Sequence, residues 1–237
     1  MTTHQILNSN DHANLRIRTH ASEGLGDAIM SSMVMPIEFR QVQAHYPIVF
    51  RMNTETGLFT AHALFGFDAG ENLFLVEDRW DARYRPLAIA VQPFLIGRGP
   101  DGEASQVHID AASPRISKDD GIRLFDEGGQ PTPYLEEISD LLGTLDTGLR
   151  TSGAFFEALQ RYDLLEPFTL DIPLEDGSKN RLVGFHAINE DRLTRLDAQA
   201  LAELHAADHL LPIFMALASL TRIGDLVERK NQRQSHG

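Results

Sequence analysis

The apolar positions change their period near the middle of the chain. Between residues 36 and 130 they fall in short runs. Ile48–Met52, Leu58–Phe67, Asn72–Val76, Leu87–Ile96 and Val107–Ile109 are apolar and rich in branched or aromatic residues, which predicts strands. Glycine-rich or charged turns at Asp68–Glu71, Gly97–Gly102 and Asp126–Gln130 separate them. Pro93 in the fourth run predicts a bulge or an edge position, because proline cannot donate to a ladder. A short helix opens at Pro36, runs through Phe39 and Val42, and ends at Tyr46-Pro47.

Beyond Pro133 the apolar spacing becomes 3 and 4. Tyr134, Ile138, Leu141, Leu145, Leu149, Phe156 and Leu159 mark one face of a long helix over 133–161. Gly143, Gly148 and Gly153 each weaken it by about 1 kcal/mol relative to alanine, which leaves a kinked pair of helices as the alternative. Phe168–Leu174 and Arg181–Ile188 flank Glu175-Asp176-Gly177-Ser178, a hairpin signal. Asn189 and Asp197 cap two short helices, and Pro212 opens a last one with Ile213, Leu217, Leu220 and Leu226 on its apolar side. Strands precede helices, so the fold class is α+β: mostly antiparallel strands in the first half, then a long helix and a helical C-terminal end. The expected organisation is a polar lead-in over 1–30 with a strand around Leu15–Ile17, a single domain over 31–230 and a polar tail over 231–237.

Composition narrows the functional classes. There is no cysteine, which excludes disulfides, thiolate metal sites and a cysteine nucleophile. The net charge of −13 repels phosphate backbones, so no nucleic-acid partner is expected. Arg229, Lys230 and Arg233 form the longest basic cluster and read as cations favourably placed at a helix C-terminus. The N-terminal residues lack the apolar stretch of a secretory signal. The most apolar window, Leu210–Leu220, is about half the ~20 residues of a membrane helix, so no transmembrane segment and a cytoplasmic location are expected.

Few constellations point to chemistry. His108 and Asp110 alternate on a strand and face one side. With a distant His186 they would make an iron-binding facial triad, and the plainer reading is an aspartate that bonds turn backbone. No metal and no cofactor are expected. His205 and His209 straddle a helix end and read as solvated. No nucleophile elbow or phosphate loop is present. The binding candidates are Trp80, Tyr84 and Arg85 in an arginine- and aromatic-rich segment, Tyr46, Asp110, and Asp126 and Thr132 in a turn stiffened by Pro131 and Pro133.

His45-Tyr46-Pro47-Ile48-Val49-Phe50, the run Leu124 to Leu135 (LFDEGGQPTPYL), Leu164-Leu165-Glu166-Pro167, and Gly184-Phe185-His186 with Asn189-Glu190 resemble the bacterial SapC family, from about Pro36 to Leu226. This is the surface-layer-linked family, not the peptide permease that shares its letters. The resemblance implies an aspartate as the usual residue at position 110, neighbouring genes for outer-membrane receptors, halogenases and cupin-like oxygenases, and no agreed catalytic residue. The expected function is a non-catalytic accessory or binding protein of a bacterial surface or uptake system, with a protein or small-molecule partner. An enzyme beside such halogenases or oxygenases and a surface-layer component are the alternatives. Nothing in the sequence specifies an oligomeric state.

Overall fold

The computed structural model describes residues 3–97, 106–173, 175, 177 and 179–236. Residues 98–102 of the expected turn, Asp176 and Ser178 of the expected hairpin turn, and Gly237 of the expected tail lie outside them. The first part of the chain carries β1 (His4–Ile6), α1 (Ser9–His12), β2 (Arg16–Ile17), β3 (Ser31–Val34), α2 (Phe39–Val42), β4 (Ile48–Met52) and β5 (Phe59–Leu64). The middle carries β6 (Leu75–Val76), β7 (Arg79–Trp80), α3 (Leu87–Ala90), β8 (Phe94–Gly97), β9 (Gln106–Asp110), β10 (Ile116–Ser117) and β11 (Ile122–Arg123). Then follow α4 (Pro133–Arg161), β12 (Leu165–Pro173), β13 (Lys179–Ile188), α5 (Glu190–Thr194), α6 (Ala198–Ala206), α7 (Leu210–Ser219) and α8 (Arg222–His236). The fold is α+β, and the strand pairs are antiparallel.

The expected fold class stands, with local differences in its elements. The run from Leu87 to Ile96 is not one strand: Leu87–Ala90 is a helical turn and only Phe94 onward is extended. A short apolar run has no period that separates buried helix from buried strand, which explains the difference. The segment expected as a lead-in carries β1, α1 and β2, and residues 231–236 continue α8. Helix α4 is a single element of 29 residues. One of its glycines has a packing reason: a Cβ on Gly148 would come within 3.1 Å of Met35 and Ile37, whereas one on Gly143 would meet open space.

The chain divides into two compact units. The first holds residues 1–27, 75–80 and 87–147; the second holds 28–74, 81–86 and 148–237. In the first, β1-β9-β8 and β10-β2-β11 form small sheets, and Ile17, Phe94, Ile109, Leu124, Ile138 and Leu142 make the core. In the second, a five-stranded sheet has the order β12-β13-β4-β5-β3. Its core is aromatic: Phe39 meets Phe155 edge to face at 5.9 Å, and Phe50 meets Phe156 at 6.4 Å.

By length and composition one helical stretch among the described residues, Leu210–Ser235, passes as a membrane span, with a mean hydropathy of 1.6 over its most apolar window. The core helix of a soluble protein passes the same test. The stretch is divided between α7 and α8, and Arg222 and Asp225 pair at 2.9 Å where α8 begins.

The first unit contains a buried ion pair. Arg115 Nη2 donates to both oxygens of Asp27 at 2.6 Å, and the two side chains are 3% and 1% exposed. Arg115 Nη1 also donates to the carbonyls of Arg18 and His20, and the Ser22 N–H donates to Asp27. The pair therefore ties residues 18–27 to the turn before β10. Arg115→Met strands a buried carboxylate and is expected to lower stability by about 3–5 kcal/mol. Asp27→Leu combined with Arg115→Met is expected to cost less than the single change. Urea unfolding of both variants at neutral pH checks this; a single variant as stable as the parent contradicts it.

Candidate functional site

The second unit has a cleft along α8. It starts from a turn: the N–H groups of His45 and Tyr46 both donate to the carbonyl of Val42, which ends α2. Tyr46 turns inward and is fully buried, with its ring against Phe65 at 5.2 Å and Phe74 at 4.7 Å. Its hydroxyl donates to the carbonyl of Tyr84. Tyr84 in turn donates to Glu38 Oε2 at 2.7 Å, while the Met35 N–H donates to Glu38 Oε1 at 3.1 Å. Burial, and then the Glu38 carboxylate, push the Tyr84 phenol well above its ordinary range, so it stays a neutral donor. This chain of bonds holds residues 81–86 against α2, and His45 is left on the cleft wall.

Helix α8 supplies the other wall. Arg222, Asp225, Arg229 and Gln232 recur at helical spacing on one face, with Glu228 beside them. Arg229 is clamped: Nη1 donates to Asp81 Oδ2 at 2.8 Å, Nη2 to the Asp81 carbonyl at 3.3 Å, and its Cζ lies 4.4 Å above the Phe74 ring. Arg222 Nη1 donates to Asp225 at 2.9 Å, and its Nε is buried with no hydrogen-bond partner. Together with Ala44 and Phe74 these groups enclose about 410 Å³. A second cavity, of about 180 Å³, is apolar and lies between β3, β5 and α4 at Met33, Ala61, Leu149 and Phe156.

His45 is the histidine in the lining of the polar cleft. Burial first, then Arg222, Arg83 and Arg229, hold its imidazole below the ordinary histidine value. At neutral pH the ring is therefore uncharged. The cleft walls carry positive guanidinium groups, the carboxylates of Asp81, Asp225 and Glu228, and this neutral imidazole.

The residues singled out from sequence divide between structural and undecided positions. Tyr46 and Tyr84 meet in the second unit, where Arg85 is half-buried. Trp80 is half-buried on β7, paired with Leu75 in the first unit. Asp110 Oδ1 accepts the N–H groups of Thr3 and Ala112, both at 3.1 Å. Asp126 Oδ1 accepts those of Gly128 and Gln130 at 2.8 and 2.9 Å, and Thr132 Oγ1 donates to the Arg123 carbonyl at 2.8 Å. These three side chains bond turn backbone, and Asp110 also ties the start of the chain to β9. The His108 ring lies over Gly97, where a Cβ would fall 2.0 Å from its Nε2. His186 stands edge-on to Phe59 at 5.0 Å in the second unit. Among the described residues no three His, Asp or Glu gather as metal ligands. His209 is not solvated: its Nδ1 is buried and its ring meets Phe155 at 5.6 Å.

The cleft was legible only in fragments. His45 stands out in the sequence as part of a motif with no role of its own. Arg229, Lys230 and Arg233 read as helix-terminal cations, yet each is tied to residues 68–72 or to Asp81: Arg229 to Asp81, Lys230 to Asp68 at 2.8 Å and Glu71 at 2.6 Å, and Arg233 to the Asn72 carbonyl at 3.0 Å. Partners about 150 positions apart in the chain leave no local signal.

The depressed His45 value has a direct check. In an NMR pH titration, His45 is expected to take up its proton below the ordinary histidine value of 6.5. Arg222→Gln removes a nearby positive charge and is expected to move the midpoint upward. A His45 midpoint at or above the ordinary 6.5, or one that Arg222→Gln leaves unmoved, contradicts the cleft electrostatics.

No curated protein and no solved structure matches the chain significantly. A family model, SapC, matches residues 7–226, which extends the likeness N-terminally past Pro36 into the first unit, and the chain belongs to the SapC family.

Proposed function

We propose that this SapC-family chain is a binding module for a small polar solute, serving a bacterial surface or uptake system, with the α8 cleft as its site. One observation carries the reading: a concave space of about 410 Å³ whose charged walls are held in place before any ligand arrives. That volume suits a small ligand. Arg229 is fixed by Asp81 and Phe74, and His45 by the buried Tyr46 next to it. Prearranged groups lower the ordering cost of binding. The residues lining the cleft include no serine, threonine, tyrosine or cysteine, so none of them offers a hydroxyl or thiol for His45 to activate. This favours binding over covalent catalysis.

A thermal-shift screen of small polar metabolites tests the reading. A true ligand present at a hundred times its Kd is expected to add about 2.7 kcal/mol of stability. Arg229→Ala or His45→Ala is expected to abolish that gain. A ligand whose stabilisation survives both changes, or a screen with no stabilising compound, overturns the assignment of this cleft.

A further inference from the structure

We propose that the α8 cleft takes a small zwitterion, an amino acid or dipeptide, with its carboxylate on the free donors of Arg222 beside His45 and its ammonium on Glu228. The inference rests on the binding reading above and narrows it to one class of ligand.

The argument is an account of which cleft groups still have bonds to make. Both terminal nitrogens of Arg229 already donate to Asp81, and its face covers Phe74. Arg222 is different. One terminal nitrogen reaches Asp225, and among the described residues the second terminal nitrogen has no hydrogen-bond partner. That open terminal nitrogen can give a carboxylate a charge-assisted hydrogen bond. Among the acidic groups, Asp81 and Asp225 each have an arginine. Glu228 accepts only from the Gln232 amide at 3.3 Å and has no cation within ion-pair distance among the described residues. It is the carboxylate available to an ammonium group.

The overall charge of the lining selects against simpler ligands. Two arginines, three carboxylates and a neutral His45 line the cleft. A dianion would face Asp81, Asp225 and Glu228, and a dication would face Arg222 and Arg229. A molecule with one charge of each sign and no net charge meets both sets favourably. The orientation follows from His45, which lies in the positive field of Arg222, Arg83 and Arg229. The carboxylate belongs at that end, and the ammonium further along α8 at Glu228.

The test uses the full chain with isotope-labelled histidine. The probes are the proteinogenic amino acids and their glycyl dipeptides. Each is matched to an N-acetyl form that lacks the ammonium and an amide form that lacks the carboxylate. At least one zwitterion is expected to move the His45 ring resonances to saturation. Its N-acetyl and amide forms are expected to bind about ten-fold more weakly or worse, the size of one lost charge-assisted bond. Glu228→Gln is expected to erase discrimination against the N-acetyl form, and Arg222→Gln that against the amide form, with circular dichroism and the thermal midpoint reporting intact folding. If a derivative with a single charge binds as well as its parent, the zwitterion assignment fails while the binding reading stands. If no probe of any charge type moves His45, and the metabolite screen is also silent, both fail.

Discussion

A carboxylate with almost no exposure to water organises the second unit of this protein. Glu38 is 3% exposed, and burying a charge is costly unless hydrogen bonds meet it. The Tyr84 hydroxyl and the Met35 N–H supply such bonds. Tyr84 can reach Glu38 only if residues 81–86 lie against α2, and its carbonyl then accepts from buried Tyr46. One demand for satisfaction thus draws together a helical turn, the start of the central strands and a distant loop. Asp81 and His45 sit at the two ends of that chain, and both line the cleft.

The cleft inherits its character from that placement. Asp81 immobilises Arg229, whose guanidinium rests on Phe74, and Phe74 packs on Tyr46. The charges of α8 are therefore distributed unequally. Some are used up in holding the helix to residues 68–72 and to Asp81, and Arg222 and Glu228 keep bonding capacity. Exposed ion pairs contribute little to stability on average, so the value of these contacts lies in where they hold the groups. The first unit solves a similar burial problem with Arg115 and Asp27, whose two-toothed contact joins the N-terminal segment to the β10 turn.

The candidate residues show how chemistry-bearing side chains become structural. Asp110, Asp126 and Thr132 attract notice in sequence because they are polar residues at strand ends. Each spends hydrogen bonds on nearby backbone, as short polar side chains beside a chain reversal commonly do, and Asp110 also accepts from Thr3 at the start of the chain. His108 packs on a glycine and His186 on a phenylalanine, which makes them parts of their sheets.

Local information was enough for much of the architecture. The change of period at Pro133 determined the long helix, Asp-Gly between two β-prone runs determined the β12–β13 hairpin, and Asn189 and Asp197 determined two helix starts, because each signal acts within a few residues. The family was legible for the same reason, in contiguous strings such as the run from Leu124 to Leu135. Leu87–Ala90 shows the limit, since four apolar residues have no period and their surroundings chose helix. The division into two units, the burial of Glu38 and the cleft of His45, Asp81, Arg222 and Arg229 were decided only by tertiary structure. Their partners are dozens to well over a hundred residues apart, and ion pairing and burial depend on proximity in space, which no spacing along the chain encodes.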